Sequence, residues 1–415
     1  MRNSDYSNCL SGEMRDRDKD VAGMGKKGIR IERVPIKDLC EFAGSAAAQH
    51  GGEGLNVLPL HRAQAYARNP YANDDDIGLL VAYMDTKPVG YLGIMPGQLR
   101  SAGEFSKVYW LTTWFVPEEY RDTSAGSLLM MTAISLRYDL LACAPDMGNE
   151  AQSVYRALGF RELGPLSFSK IEIERLNWSY VLLNNVQSKL TTSGASLPGL
   201  GRLTRASAGL FKPWRKRFYR RLLKSVRIGP SEALRATEVS GIDSSVVDER
   251  DASTPRFYRG REILRWMLTD KWVIDRTGSQ NSGSNFFFSS IRDHFSYVPL
   301  KLSHGGNEGA GFVILSVSSN KGERTLKVVD YQISPGTSIR GLSQVILQQA
   351  ERIEATRILL PPQLHETFAG IPLLTKILTT RNIYYFARPG RKDSMLATVV
   401  DDIRLDFCDG DLAFT

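Results

Sequence analysis

Residues 108–116 read VYWLTTWFV, apolar at odd and even positions alike. A strand of that kind must be covered on both faces, which puts it in the middle of a sheet flanked by packed layers. The chain then turns through PEEYRDTSAG into SLLMMTAISL, whose Leu129, Ala133 and Leu136 form one helical stripe. Between strand and helix stand Arg121 and a row of small residues, Asp122, Thr123, Ser124, Ala125, Gly126 and Ser127. The first turn of a helix carries unpaired N–H groups and a partial positive charge, so it attracts anions. Small residues let a ligand approach the backbone, and an arginine can clamp phosphate oxygens in bidentate fashion. The pattern predicts a phosphate or pyrophosphate site. The plainer alternative is a strand-to-helix turn with a solvated arginine.

The flanking sequence completes an α/β (α+β) unit. IRIERV alternates as a strand, and residues 37–49 and the stretch LHRAQAYARNP read as helices, the second stopped at Asn69-Pro70. Leu79–Met84 and Val89–Ile94 read as a hairpin turned at Asp85–Pro88. DLLACA is a short buried strand, GNEAQSVYRAL a helix ended by Gly159, and FRELGPLSF a closing strand.

A second run repeats that order: helix FYRGREILRWML, strand FFFSS, strands GFVILSVS and TLKVVDYQI, helix SIRGLSQVILQQAERI, strand TRILLPP, helix FAGIPLLTKIL, strand YYFAR. This predicts two structurally repeated units with almost no residue identity. The expected division is a disordered tail (1–27), a first unit (28–172), a connector (173–230), a second unit (231–405) and a tail (406–415). The connector holds the helix-like RLNWSYVLLNNVQSKL, the loop TTSGASLPGLG and a basic amphipathic helix.

The chain has 415 residues, 53 basic and 45 acidic, for a net charge of +8. Ten Lys or Arg and no acid lie between Arg202 and Arg227, so the basicity belongs to the connector. There, FKPWRKRFYRRLLKSVRIG sets Phe211, Trp214, Phe218, Leu222 and Val226 on one stripe. Three readings stay open: a helix packed between units, a peripheral contact with an anionic membrane, and nucleic-acid binding, the least favoured. Four scattered cysteines without a C-x-x-C pair fit a reducing compartment. With no signal-peptide core and no apolar run of about 18 residues, a cytoplasmic protein is expected. Five histidines without H-E-x-x-H argue against a metal site. Gly23–Gly28 fits G-x-G-x-x-G but precedes a strand rather than a helix, and no G-x-S-x-G occurs.

The first unit resembles the GCN5-related N-acetyltransferases, the GNAT superfamily, over residues 29–170. In that family a central strand leads into Q/R-x-x-G-x-G/A, matched here by Arg121, Ser124 and Gly126 with serine at the first glycine position. A later helix carries alanine, a tyrosine four residues on, and Gly-Phe, matched by Ala151, Tyr155, Gly159 and Phe160. The family's helix-opening asparagine lies seven before the tyrosine, whereas Asn149 lies six before. The resemblance implies acetyl-CoA or another acyl-CoA as co-substrate. Its pyrophosphate would be held by Arg121, Thr123, Ser124, Ala125, Gly126 and Ser127, with Phe115 and Val116 at the end of the strand. It also gives Tyr155 the role of general acid to the departing sulfur. Against this, Ala151, Val154, Tyr155 and Leu158 form a stripe in which Tyr155 is ordinary core.

The base is less defined. Glu118 and Glu119 flank the turn, while His61, Asp75 and Asp76 lie where the family builds its acceptor pocket; each also reads as a solvated surface group. The stretches NPYANDDDIGLLVAYMDTKPVGYLG and LTTWFVPEEYR resemble a subgroup linked to bacterial surface-polysaccharide biosynthesis, which implies an amino-sugar acceptor, nucleotide- or lipid-linked. The second unit lacks both motifs in register and is expected to be a copy that binds no coenzyme A. Two other readings remain: a Fem-like transferase using aminoacyl-tRNA, and a membrane scaffold without activity.

Overall fold

One sheet runs through both units. The computed structural model describes residues 28–50, 55, 57–145, 149–176, 212–226, 228–241, 254–270, 272–275, 291–305, 307–320, 322–390, 395–410 and 412. The first unit runs β1 (Ile29–Pro35), α1 (Leu39–His50), α2 (Leu60–Ala67), β2 (Ile77–Met84), β3 (Lys87–Ser101), β4 (Glu104–Phe115), α3 (Ala125–Ser135), β5 (Leu140–Cys143), α4 (Asn149–Ala157) and β6 (Arg161–Glu172). Then come α5 (Lys212–Ser225), β7 (Arg235–Glu238), β8 (Arg256–Phe257), α6 (Arg261–Thr269), β9 (Ile274–Asp275), β10 (Ile291–Arg292) and β11 (His294–His304). The chain ends with β12 (Asn307–Asn320), β13 (Glu323–Ile333), α7 (Ile339–Arg352), β14 (Arg357–Leu360), α8 (His365–Ala369), β15 (Leu378–Pro389) and α9 (Met395–Val399).

The sheet has 13 strands in the order β1-β2-β3-β4-β5-β15-β6-β14-β13-β12-β11-β7, with β8 paired to β3. The order gives two GNAT-like units that exchange their last strands. β15 inserts beside β5 of the first unit, Phe386 opposite Cys143 and Pro389 opposite Leu140. β6 pairs with β14 of the second unit, Glu172 opposite Arg357 and Ser169 opposite Leu360. β6 and β15 then pair with each other, antiparallel, at the centre. The strand expected to close the first unit therefore lies against the second.

Three cores follow from this layout. One lies under α3 and α4, with Leu129, Met130, Ala133 and Tyr155. A second lies under α5 and α7, with Phe218, Leu222, Leu342 and Ile346. The third joins both units on the α1–α2 face and takes in Tyr66, Trp110, Trp266, Phe312 and Phe407. Gly159 stops α4 with φ +80°, a conformation that disfavours other residues.

Several elements depart from expectation. α6, assigned above to the second unit, packs on the first: Trp266 Nε1 donates to Ala65 O at 2.7 Å, and Arg68 of α2 pairs with Asp270. The supposed C-terminal tail is part of the core, with Phe407, Cys408 and Asp409 all buried. Residues 294–304 form a strand that sequence reading missed, and the helix expected at 368–378 ends at Ala369, before Gly370 and Pro372. Of the expected apolar stripe of α5, Phe218 and Leu222 are buried, Trp214 is exposed and Phe211 lies outside the described residues; Tyr219 donates to Ala355 O at 3.0 Å, while Lys216, Arg217, Arg220, Arg221 and Lys224 face outward. The tail at 1–27, nearly all of the helix-like stretch 175–190, the loop 191–201 and strand FFFSS lie outside the described residues.

Candidate active site

β4 and β5 run parallel only from Val108–Leu140 to Leu111–Cys143. β5 ends there, but β4 continues to Phe115, so among the described residues its edge from Thr112 onward has no strand beside it. At the same point the pairing with β3 shifts: Ile94 faces Leu111, but Leu92 faces Trp114. The extra residue is a β-bulge, and it reverses the alternation of side chains. Trp110 packs in the core on the α1–α2 face, whereas Trp114 packs in the α3–α4 core.

The bulge thus carries Trp114 to the start of α3. A Cβ on Gly126 would stand 3.4 Å from Trp114 Cζ2 and 3.8 Å from its Nε1. Ser124 occupies the cap position but its side chain caps nothing. Leu128 N makes the first helical bond, to Ser124 O at 2.9 Å, and Ala125 N reaches Thr123 Oγ1 at 3.3 Å. The amides of Gly126 and Ser127 are left with no carbonyl four residues back in the helix. Two further groups, Trp114 Nε1 and Ser124 Oγ, are buried and unpartnered among the described residues. Buried polar groups are rarely left so, and their convergence on an uncapped helix end fits a polar ligand. Acyl-CoA passes this test: the turn offers amides for its phosphates, and the free edge of β4 offers main-chain groups to its amide-bearing arm.

Tyr155 points into the same region, 4% exposed. Its ring meets Trp114 edge-on at 6.2 Å and Phe160 at 5.3 Å, and stacks on Phe386 at 5.8 Å. Phe386 belongs to the exchanged strand β15, so the second unit helps hold this tyrosine. Nothing local in the sequence signals that contact.

Gly126 and Tyr155 both approach Trp114, with Ser124 and Ala125 opening α3 beside Gly126 and Phe115 and Val116 at the strand end. Arg121 is exposed on the rim, Thr123 donates to Tyr120 O at 2.6 Å, and Ser127 to Ser124 O at 3.2 Å. Glu118 and Glu119 are exposed on a short 3-10 turn. His61 is half-buried on α2. Asp76 is fully engaged near the far end of β4, accepting from Tyr109 Oη at 2.7 Å, Lys107 Nζ at 2.5 Å and Asn73 N at 2.7 Å. Burial, and then that hydrogen bond, raises the Tyr109 phenol above its ordinary range. Asp75 is exposed and pairs with Lys37 at 2.6 Å. Among the described residues no cluster of three His, Cys, Asp or Glu side chains could hold a metal.

The second unit has the same layout with the openings filled. β14 pairs with β13 only from Thr325 to Lys327, and a bulge follows at Val329. Here Arg259 enters: it donates to Val329 O at 3.4 Å, Phe407 O at 3.0 Å and Asp409 at 2.7 Å, with Asp330 at 3.9 Å. Lys327 Nζ reaches Leu412 O at 2.7 Å. The N-terminus of α7 is capped by its own Ser338, which accepts from Gly341 N at 3.4 Å. Glu232 O stands 2.4 Å from where a Gly341 Cβ would be, with Leu234 beside it.

Residues 52–160 match the acetyltransferase (GNAT) family. A conserved protein of unknown function from Enterococcus faecalis V583, described as a probable N-acyltransferase, is 12% identical with a TM-score of 0.50, over 87% of this chain and 72% of its own. A GCN5-related N-acetyltransferase from Anabaena variabilis is 11% identical with a TM-score of 0.47, over 88% and 73%. At such identities the likeness concerns the fold. No curated protein matches the sequence.

Proposed function

We propose, from the match of residues 52–160 to the acetyltransferase (GNAT) family, that the chain is an acyl-CoA-dependent N-acyltransferase, acetylating a small-molecule amine. The observation that carries this reading is the convergence of an uncapped α3, the unpartnered Trp114 Nε1 and Ser124 Oγ, and the free edge of β4.

When bound, acyl-CoA supplies an acyl group activated as a thioester. The amides of Gly126 and Ser127, with Arg121 on the rim, hold its phosphates. Main-chain groups from Thr112 to Phe115 orient its arm as a neighbouring strand would. A neutral amine adds to the acyl carbon, its surplus proton leaves to water or a base, and the carbon–sulfur bond breaks. Tyr155 donates the proton that the departing sulfur takes up. Among the bases read from the sequence, Asp76 is occupied by three donors, while Glu118 stays exposed and His61 lies on the α1–α2 side. The polysaccharide-subgroup resemblance would imply an amino-sugar acceptor, a class that the cavity chemistry below weighs against.

No described helix is long and apolar enough to cross a membrane. The outward cations of α5 support peripheral contact with an anionic surface, which vesicle co-sedimentation at low and high salt would test. For the central reading, calorimetric titration of the full chain with acetyl-CoA is decisive. Saturable binding is expected, and its absence would overturn the transferase assignment.

A further inference from the structure

A cavity, part of it open to solvent, lies against the face of β4 that carries Trp110. Its walls come from four parts of the chain: Tyr71 from the stretch after α2, Trp110 and Met95 from the central strands, Phe257 with Ile263 and Trp266 from the β8–α6 segment, and Cys408–Gly410 from the C-terminal stretch. We propose that this cavity is the acceptor subsite of the transferase reading, on which the proposal rests, and that it takes a primary amine with an aromatic or branched apolar body.

Trp110 stands two residues before Thr112, where β4 loses β5, and two residues of strand span about 7 Å. An amine on a one- or two-carbon arm, its body in the cavity, reaches that opening. The tie between Thr112 and α2, Tyr66 Oη to Thr112 Oγ1 at 3.3 Å, keeps the intervening wall in place.

The Trp110 and Phe257 rings lie 4.4 Å apart, and Trp266 has its N–H committed to Ala65 O, so all three offer carbon to the cavity. The polar groups nearby are mostly spent. Arg259 donates to two carbonyls and to Asp409, whose other oxygen accepts from Asp406 N at 2.7 Å. The buried Tyr71 phenol donates to no described group. A sugar ring would bring several hydroxyls needing partners, and each one left unpaired weakens binding. An apolar body with one amine makes no such demand, and its single polar group can meet Tyr71.

The aromatic faces of Trp110, Phe257 and Trp266 also favour an ammonium ion as it enters.

The test uses the full chain with acetyl-CoA, following release of the coenzyme A thiol with 2-phenylethylamine or glucosamine as acceptor. The parent should use 2-phenylethylamine with kcat/KM at least about tenfold above glucosamine. Ile263→Phe, which adds a ring into the open space, should lower that value at least about tenfold without changing acetyl-CoA affinity by calorimetry. Tyr71→Phe, which removes one oxygen only, should raise KM severalfold and leave the melting temperature near the parent's. Preference for glucosamine, turnover of neither amine, or indifference to both substitutions while acetyl-CoA still binds would overturn the cavity assignment alone. Loss at the level of acetyl-CoA binding in the parent would remove the transferase reading as well.

Discussion

Arg259 donates through Nη1 to the carbonyl of Val329, 3.4 Å away, inside the bulge of β13. Among the described residues no side chain donates into the matching bulge of β4, and α3 has none of the capping that Ser338 gives α7. On the proposed reading the two units offer one donor site between them. Calorimetry should return one acetyl-CoA per chain; a stoichiometry of two would contradict the filled second site.

Gly126 has room for a side chain in the ligand-free fold, since its nearest neighbours lie 3.4–3.8 Å from an added Cβ. Gly126→Ala should therefore melt close to the parent. Gly126→Glu places a carboxylate where phosphate would sit, and should weaken acetyl-CoA binding at least a hundredfold, about 2.7 kcal/mol. Retained affinity in the glutamate variant would move the donor site elsewhere.

Tyr155→Phe keeps every ring contact with Trp114, Phe160 and Phe386 and removes only the hydroxyl. Stability should change by less than about 1 kcal/mol. A general acid contributes roughly 10²–10⁴ in rate, so kcat should fall by at least about tenfold with KM for acetyl-CoA little altered. An unchanged kcat would return Tyr155 to the core.

Burial lifts the Asp409 carboxyl from its ordinary value of 3.8 to about 7, although Arg259 pulls the other way. The Asp406 carboxylate beside it adds to the lift. Between those two values the folded chain holds a proton that the unfolded chain has released, so stability should fall as pH rises from about 4 to 7. Melting temperatures across that window should flatten in Asp409→Asn; an unchanged slope would place the proton elsewhere.

Asp76 accepts from Lys107 and Tyr109 while 7% exposed. Asp76→Ala leaves both donors without an acceptor and should cost about 3 kcal/mol, read by chemical denaturation. Among folded molecules at low temperature, kcat should stay near the parent's. A selective loss of kcat would restore Asp76 as a base.

The turn after β4 was legible because its signals are local: a two-faced apolar strand, small residues and a helix follow one another. Gly159 marked the end of α4 for the same reason. The contact between Tyr155 and Phe386 was not legible, because alternation in β6 and β15 says that each is a strand and not which strand it joins. The inward turn of Trp114 escaped because one bulge residue inverts a period-two pattern. Residues 406–410 looked like a polar tail; their burial depends on Arg259, far upstream in the sequence, which compensates acids that otherwise read as solvated. β11 hid because several of its residues are only half-buried, so its pattern does not alternate cleanly.

The exchange of β6 and β15 also sets an order in time. β5 leaves the ribosome early, yet its neighbour in the finished sheet begins at Leu378. At about 5–20 residues per second, synthesis of the intervening chain takes on the order of ten seconds or more. Throughout that interval the nascent first unit carries a raw sheet edge and a tyrosine pocket missing one wall. A truncated chain ending before Leu378 would carry that edge permanently, ready to pair with another copy of itself.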